Sequence, residues 1–209
     1  MDKKILITVA RQRGCGGPEI AAKVAEILGI PLYDKEIIEG AAAVGELHID
    51  VATREDEKAA HSLLYTLAMG AHAHTVTPGV ALHIPINDRI FLLQADFIRE
   101  KAAEGSAIFV GRCADYILRD EPARLSVFLH APYDARVDRV MAEDSSLTRA
   151  AAGDLVTKSD RRRSSYYGFY TGGKWGKHEN YHLSLDTEFL GIDGTAELIA
   201  AAARRLLAD

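Results

Sequence analysis

The feature that most constrains this chain is an apolar run that ends in a glycine-rich turn. Residues 5–10 read ILITVA, and residues 11–17 read RQRGCGG. The run is continuous rather than alternating and is rich in β-branched side chains, as expected of a strand buried on both faces in a parallel sheet. Pro18 then suits the first position of a helix, where its missing N–H would have no partner in any case. Ile20, Val24, Ile27 and Leu28 recur at helical spacing, and Gly29 suits the cap that ends the helix.

Strand, glycine loop and helix open a βαβ unit, and the pattern repeats. Short strands are expected at residues 30–33, 107–110 (AIFV), 125–129 (LSVFL) and 181–185, with helical stretches after them. A closing helix is expected over about 195–207, with Arg204 and Arg205 in its last turns, where cations suit the dipole. Strands alternating with helices imply a three-layer α/β/α fold with a five-stranded parallel sheet, and 209 residues suffice for one such domain.

Two segments fall outside the alternation. Residues 45–104 hold a helical stretch near 55–69, a Gly/His/Pro-rich loop, and a helix near 88–104 that Asn87 is placed to cap. Residues 145–177 are basic, with six Lys/Arg against one Asp from 158 to 177.

Bulk composition excludes several classes. At 48% hydrophobic and 26% charged the chain reads as an ordinary globular protein. A formal net charge of -5 argues against DNA binding and general RNA binding, which require a basic surface. Cys15 and Cys113 are too few and too isolated for a disulfide framework or a zinc site, and are expected as reduced thiols in the cytoplasm. The apolar run at residues 5–10 is too short to span a bilayer, so no membrane association is expected.

The glycine loop carries the strongest chemical signal. Between a strand and a helix, backbone N–H groups point at one spot and the helix dipole adds positive charge, which makes an anion site. Arg11, Arg13, Gly14, Cys15, Gly16 and Gly17 are the expected phosphate-binding residues. The full Walker pattern is absent: Gly17 stands at the lysine position and Pro18 at that of the Mg²⁺-binding Ser/Thr. Arg11 and Arg13 are candidates to replace the lysine's charge. A dinucleotide fingerprint fits worse, since GCGG is not GxGxxG and only Asp34 offers the acid expected downstream. The competing reading is a glycine turn that serves packing alone.

Six pieces of the chain resemble the cytidylate kinase-like family, a divergent branch of the P-loop nucleoside-monophosphate kinases. They are ITVARQRGCGG (7–17), IPLYDKEII (30–38), FVGRCADYIL (109–118), VFLHAP (127–132), SDRRRSSYYGFYTGGKW (159–175) and LSLDTEFLGI (183–192). The resemblance implies ATP-dependent, Mg²⁺-requiring phosphoryl transfer to a nucleoside monophosphate of the CMP or dCMP kind. It implies an acceptor-binding insertion at about 45–104 and a mobile lid at about 145–177. By the same resemblance Arg112, Arg136, Arg161 and Arg163 are candidate catalytic cations, Asp34, Arg112 and Asp160 belong on the acceptor side, with Asp160 expected to orient a base or an arginine, and Asp186 precedes the last core helix. Pro18 stands where members of this branch often carry arginine. The alternative is a non-catalytic nucleotide-binding or regulatory module with a degenerate loop.

Individual residues have plainer readings. Arg112 follows an apolar strand, where parallel sheets bind ligands, but a surface ion pair with Asp115 would also explain it. Asp34 suits a strand end or a helix cap. Arg161 and Arg163, interleaved with Tyr166, Tyr167, Tyr170 and Trp175, suit a lid, a solvated face or a base-stacking RNA surface. His72, His74 and His83 read as a solvated loop rather than a metal site. Cys15, at a helix N-terminus, is expected to have a lowered pKa and to be modification-sensitive.

Overall fold

A computed structural model describes residues 4–44 and 85–208. Strand β1 (Leu6–Arg11) is buried along its whole length. It pairs in parallel with β3 (Ala107–Val110) on one side and β4 (Arg124–His130) on the other, with Val9 opposite both Val110 and Val127. The short β2 (Leu32–Tyr33) extends the sheet beyond β3, and β5 (Leu183–Asp186) extends it beyond β4. The order β2-β3-β1-β4-β5 is wholly parallel. All C-terminal strand ends therefore share one edge.

Alternation along β1 divides the core. Ile7 and Val9 face a cluster with Ile20 and Val24 of α1 (Gly17–Leu28) and Ala196 and Ile199 of α7 (Thr187–Ala208). Leu6 faces the other side. There it meets Ile37 of α2 (Lys35–Val44), Phe91 and Ile98 of α3 (Ile86–Glu104) and Ala114 of the single turn α4 (Ala114–Ile117). The sheet is thus covered on both faces, as its continuous apolarity requires. Phe109 is fully buried and stacks on Tyr33 at 5.4 Å between centroids.

Helices α5 (Tyr133–Glu143) and α6 (Arg149–Thr171) form a third cluster through Val137, Val140, Ala152 and Val156. Thr148 caps α6 by accepting a hydrogen bond from the Ala151 N–H. The last turns of α6 bury their tyrosine face. Tyr166, Tyr167 and Tyr170 join the cluster under α3, and Phe91 stacks on Tyr170 at 4.0 Å. Tyr166 Oη donates to Gln94, and Tyr170 Oη to the buried Asp88. These tyrosines are core residues, not an exposed stacking surface.

Several expected boundaries change. The last helix begins at Thr187, eight residues before the expected start at 195, and breaks at Gly191 (φ 69°), a left-handed conformation that favours glycine. The strand expected at 181–185 is Leu183–Asp186, because residues His178–Asn180 form a 3₁₀ turn leading into it. Asn87 does not cap α3: the helix starts at Ile86, and Pro85 takes the cap position. The expected helix near 55–69 and the histidine loop lie outside the described residues.

Phe109→Ala is expected to lower stability by about 3–5 kcal/mol, as large-to-small changes in a packed core do. Urea denaturation checks this.

Candidate functional site

At the shared strand edge lies a cleft of about 420 Å³. The loop from Arg11 to Pro18 forms one wall, with Asp34, Lys35 and Glu39 facing it and Arg112, Arg163 and Glu143 closing the ends. A small pocket of about 30 Å³ shares Arg11, Arg112 and Arg163 with it and is lined further by Thr8, Asp115 and Tyr167.

Three guanidinium groups converge here, each from a different element. Arg11 ends β1 and is 8% exposed, and its Nη2 lies 3.5 Å from Asp34 Oδ1. Arg163, from α6, donates through Nη1 to the Arg11 carbonyl at 3.1 Å. Arg112 comes from the turn after β3. That turn has three successive left-handed residues: Gly111 (φ 79°), Arg112 (φ 55°) and Cys113 (φ 56°). The conformation costs a non-glycine residue about 1–2 kcal/mol. Gly111 N–H to Val9 O and Ala114 N–H to Gly111 O, both 3.0 Å, hold it in place. Strained backbone of this kind clusters at functional sites. A Cβ on Gly111 would collide with Arg11 Nη1, so this glycine is also needed for the arginines to approach.

The loop itself is tightly supported. A Cβ on Gly17 would lie 2.7 Å from Arg11 Cγ. Arg11 therefore runs over the position where a Walker lysine would begin. Arg13 Nη2 pairs with Glu143 Oε2 at 2.5 Å, and the Arg13 N–H donates to Asp160 Oδ1 at 2.8 Å. Arg136 is buried beneath the loop. Its Nη1 bonds Asp160 Oδ2 at 2.6 Å and lies 3.3 Å from the Arg13 carbonyl, while its Nε donates to Ala131 O at 3.0 Å.

The candidates therefore divide into groups. Arg11, Arg13, Gly14, Gly16, Gly17, Asp34, Arg112 and Arg163 line the cleft together. Arg136 and Asp160 lie behind the loop and bind each other and its backbone. Arg161 is exposed on α6 and lines no part of the cleft. Cys15 does not face the cleft either. It is fully buried in the core, and burial pushes its thiol up from the ordinary value, against the lowering bond from Gly17 and the nearby arginines. The expected lowered pKa and modification sensitivity are corrected on this point, because desolvation outweighs the helix terminus.

The surface ion pair considered for Arg112 does not describe the site either, since Arg112 and Asp115 are 9% and 7% exposed. Asp115 accepts from Tyr167 Oη at 2.8 Å, which ties α6 to the Arg112 turn. Thr187 is also buried, and its Oγ1 donates to the Cys15 carbonyl at 2.8 Å. Neither tie was evident in the sequence; the position of Thr187 directly after a strand end was the only signal. Among the described residues no group of three or more His, Cys, Asp or Glu is arranged to hold a metal. Among them, too, no helix is long and apolar enough to cross a membrane.

The sheet order, the glycine loop at the end of β1 and the arginine-lined cleft define an α/β fold of the P-loop type. Solved structures agree on the fold. A shikimate kinase from Bacteroides thetaiotaomicron superposes with a TM-score of 0.55 at 13% identity, covering 99% of this chain and 100% of that one. An uncharacterised protein from Eubacterium ventriosum ATCC 27560 reaches a TM-score of 0.69 at 28% identity, covering 97% and 99%. Residues 6–188 match the cytidylate kinase-like family, and the chain belongs to it. A cytidylate kinase of Methanoregula boonei (strain DSM 21154 / JCM 14090 / 6A8) is 27% identical over 122 residues, 58% of this chain and 65% of that protein. One from Aeropyrum pernix (strain ATCC 700893 / DSM 11879 / JCM 9820 / NBRC 100138 / K1) is 29% identical over 104 residues, 50% and 59%. The chain thus spans under two thirds of the length of these curated relatives.

Burial raises the Asp115 carboxyl above its ordinary value of 3.8, opposed by the Tyr167 hydrogen bond. The native state then holds this proton more tightly than the unfolded chain. The group's contribution to stability is greatest below 3.8 and is lost as pH rises through the folded-state value. Asp115→Asn keeps an acceptor for Tyr167. Its stability, followed by urea denaturation across pH, should fall less than that of the wild type as pH rises above 3.8.

Proposed function

We propose that the protein transfers the γ-phosphoryl group of ATP to a nucleoside monophosphate of the CMP or dCMP kind. One observation carries the reading: Arg11, Arg112 and Arg163 converge on a cleft walled by the glycine loop. Phosphoryl transfer asks little covalent chemistry of a protein. It needs both phosphates held in line, positive charge on the oxygens of the moving group, and water kept out.

In this reading the ATP phosphates lie against the N–H groups of Gly14 and Gly16, while the Gly17 N–H is directed at the buried Cys15 thiol. Arg11 supplies the charge that lysine gives elsewhere, from the strand side rather than the helix side, and Arg13 exchanges Glu143 for phosphate. The acceptor phosphate lies toward Arg112 and Asp34, at the ends of β3 and β2. Arg163 bridges donor and acceptor. Arg136 and Asp160 support the loop rather than touch substrate, and exposed Arg161 closes on the nucleotide only if α6 moves. In this reading the segment at about 45–104 is the acceptor-binding insertion and the stretch at about 145–177 the lid.

Asp34 and Glu39 bring hard carboxylate oxygens to the cleft, a donor set that fits Mg²⁺ held mainly by phosphate and water. Bound there, Mg²⁺ would neutralise phosphate charge as it develops. The relatives named cytidylate kinase support the acceptor class, and such substrates support a cytoplasmic site of action.

A second reading rests on Gly17 and Pro18, which remove the Walker lysine and hydroxyl: a nucleotide-binding module without turnover. An ADP-release assay with ATP, Mg²⁺ and a panel of monophosphates separates the two. Stimulation by CMP or dCMP, reduced about 100-fold or more in Arg112→Ala, is expected for the kinase, a loss typical of deleting one charge-stabilising donor. ATP binding with no stimulated release would establish the second reading instead.

A further inference from the structure

We propose that Thr187 and the Arg136–Asp160 pair are positioning residues that aim the loop's N–H groups into the cleft. The inference deepens the phosphate-binding reading and rests on it.

In a trans peptide the C=O of one residue and the N–H of the next point in opposite directions. The described chain has no cis peptide bond. Fixing a carbonyl inward therefore turns the following N–H outward. Thr187 is 1% exposed and lies beneath the loop at the end of β5; its Oγ1 donates to the Cys15 carbonyl at 2.8 Å, with the His130 carbonyl a second acceptor at 3.2 Å. The Gly16 N–H then faces away from Thr187. On the preceding turn Arg136 Nη1 holds the Arg13 carbonyl at 3.3 Å, which turns the Gly14 N–H away from α5. Gly14 and Gly16 both line the cleft.

Their φ values of 80° and 76° alternate with residues of ordinary hand. Such alternation makes the concave run of N–H groups that binds anions. Packing adds to the constraint: a Cβ on Gly14 would lie 2.5 Å from the Arg136 carbonyl, so the loop rests directly on α5. Asp160 completes the support by holding Arg136 through Oδ2 and the Arg13 N–H through Oδ1.

The support matters more in this chain than in a loop with the full Walker pattern. Pro18 has no N–H and no hydroxyl, and Gly17 has no ammonium. On the loop itself, what remains for phosphate is Arg11, Arg13 and the aimed backbone N–H groups. Thr187 is suited to this role because it combines a hydroxyl donor with a β-branched body that fills the space under the loop.

The test measures tripolyphosphate binding by calorimetry for wild type, Thr187→Val and Thr187→Ser. Valine keeps the shape and removes the donor; serine keeps the donor. Thr187→Val is expected to bind roughly three- to tenfold more weakly, the scale of one hydrogen bond, and Thr187→Ser within about twofold of wild type. In turnover, the KM for ATP should rise in Thr187→Val while the KM for the monophosphate stays. If Thr187→Val does not fold, Asp160→Asn replaces it, with the same expected weakening. Wild-type binding with an equally tight variant overturns the inference alone. A wild type that does not bind tripolyphosphate overturns the loop as a phosphate site, and the inference with it.

Discussion

The parallel pairing of β1 with both β3 and β4 is the constraint from which the site follows. A parallel sheet sends every strand out at the same edge, and β1 is its central member. Arg11 leaves β1 at that edge, Arg112 leaves β3 beside it, and the turn after β4 delivers α5 with Arg136 under the loop. Neighbouring groups of one charge thus come from distant parts of the sequence, each fixed by a strand that cannot shift without breaking the ladder.

Gathering four guanidinium groups, those of Arg11, Arg13, Arg112 and Arg163, in a partly buried cleft is electrostatically unfavourable without a counter-charge. The protein offsets part of this with Asp34 on Arg11 and Glu143 on Arg13. These acids leave a positive excess facing the loop, and in a cleft of low polarity such an excess favours an anion strongly. The strained Arg112 turn fits the same economy, since its conformation persists only because β3, α4 and the Asp115–Tyr167 tie over-determine it.

Much of this was legible in the sequence. The unbroken ILITVA run and the glycines after it located β1 and the loop, and Arg112 and Asp34 could be placed at strand ends from the apolar runs before them. The far half of α6 was not legible. Tyr166 and Tyr170 are one helical turn apart and share a buried face, but the arginines just before them made the stretch read as part of a lid. Asp160 was expected to orient a base or an arginine and does hold Arg136, but the contacts of Arg136 and Thr187 with the loop were hidden for a different reason. Each contact spans more than a hundred residues, and no local pattern records it. Cys15 was misjudged because helix-terminus logic says nothing of depth: its side chain turns into the core while only its backbone stays with the loop.

The central claim is that the glycine loop after β1 is where a nucleotide's phosphates bind. An amide NMR titration of the ¹⁵N-labelled protein with ATP and Mg²⁺ tests it most directly. Saturable shifts are expected, largest at the amides of Gly14 and Gly16, with smaller ones along the Arg112 turn. Saturable shifts centred elsewhere, with the loop amides unmoved, would contradict it.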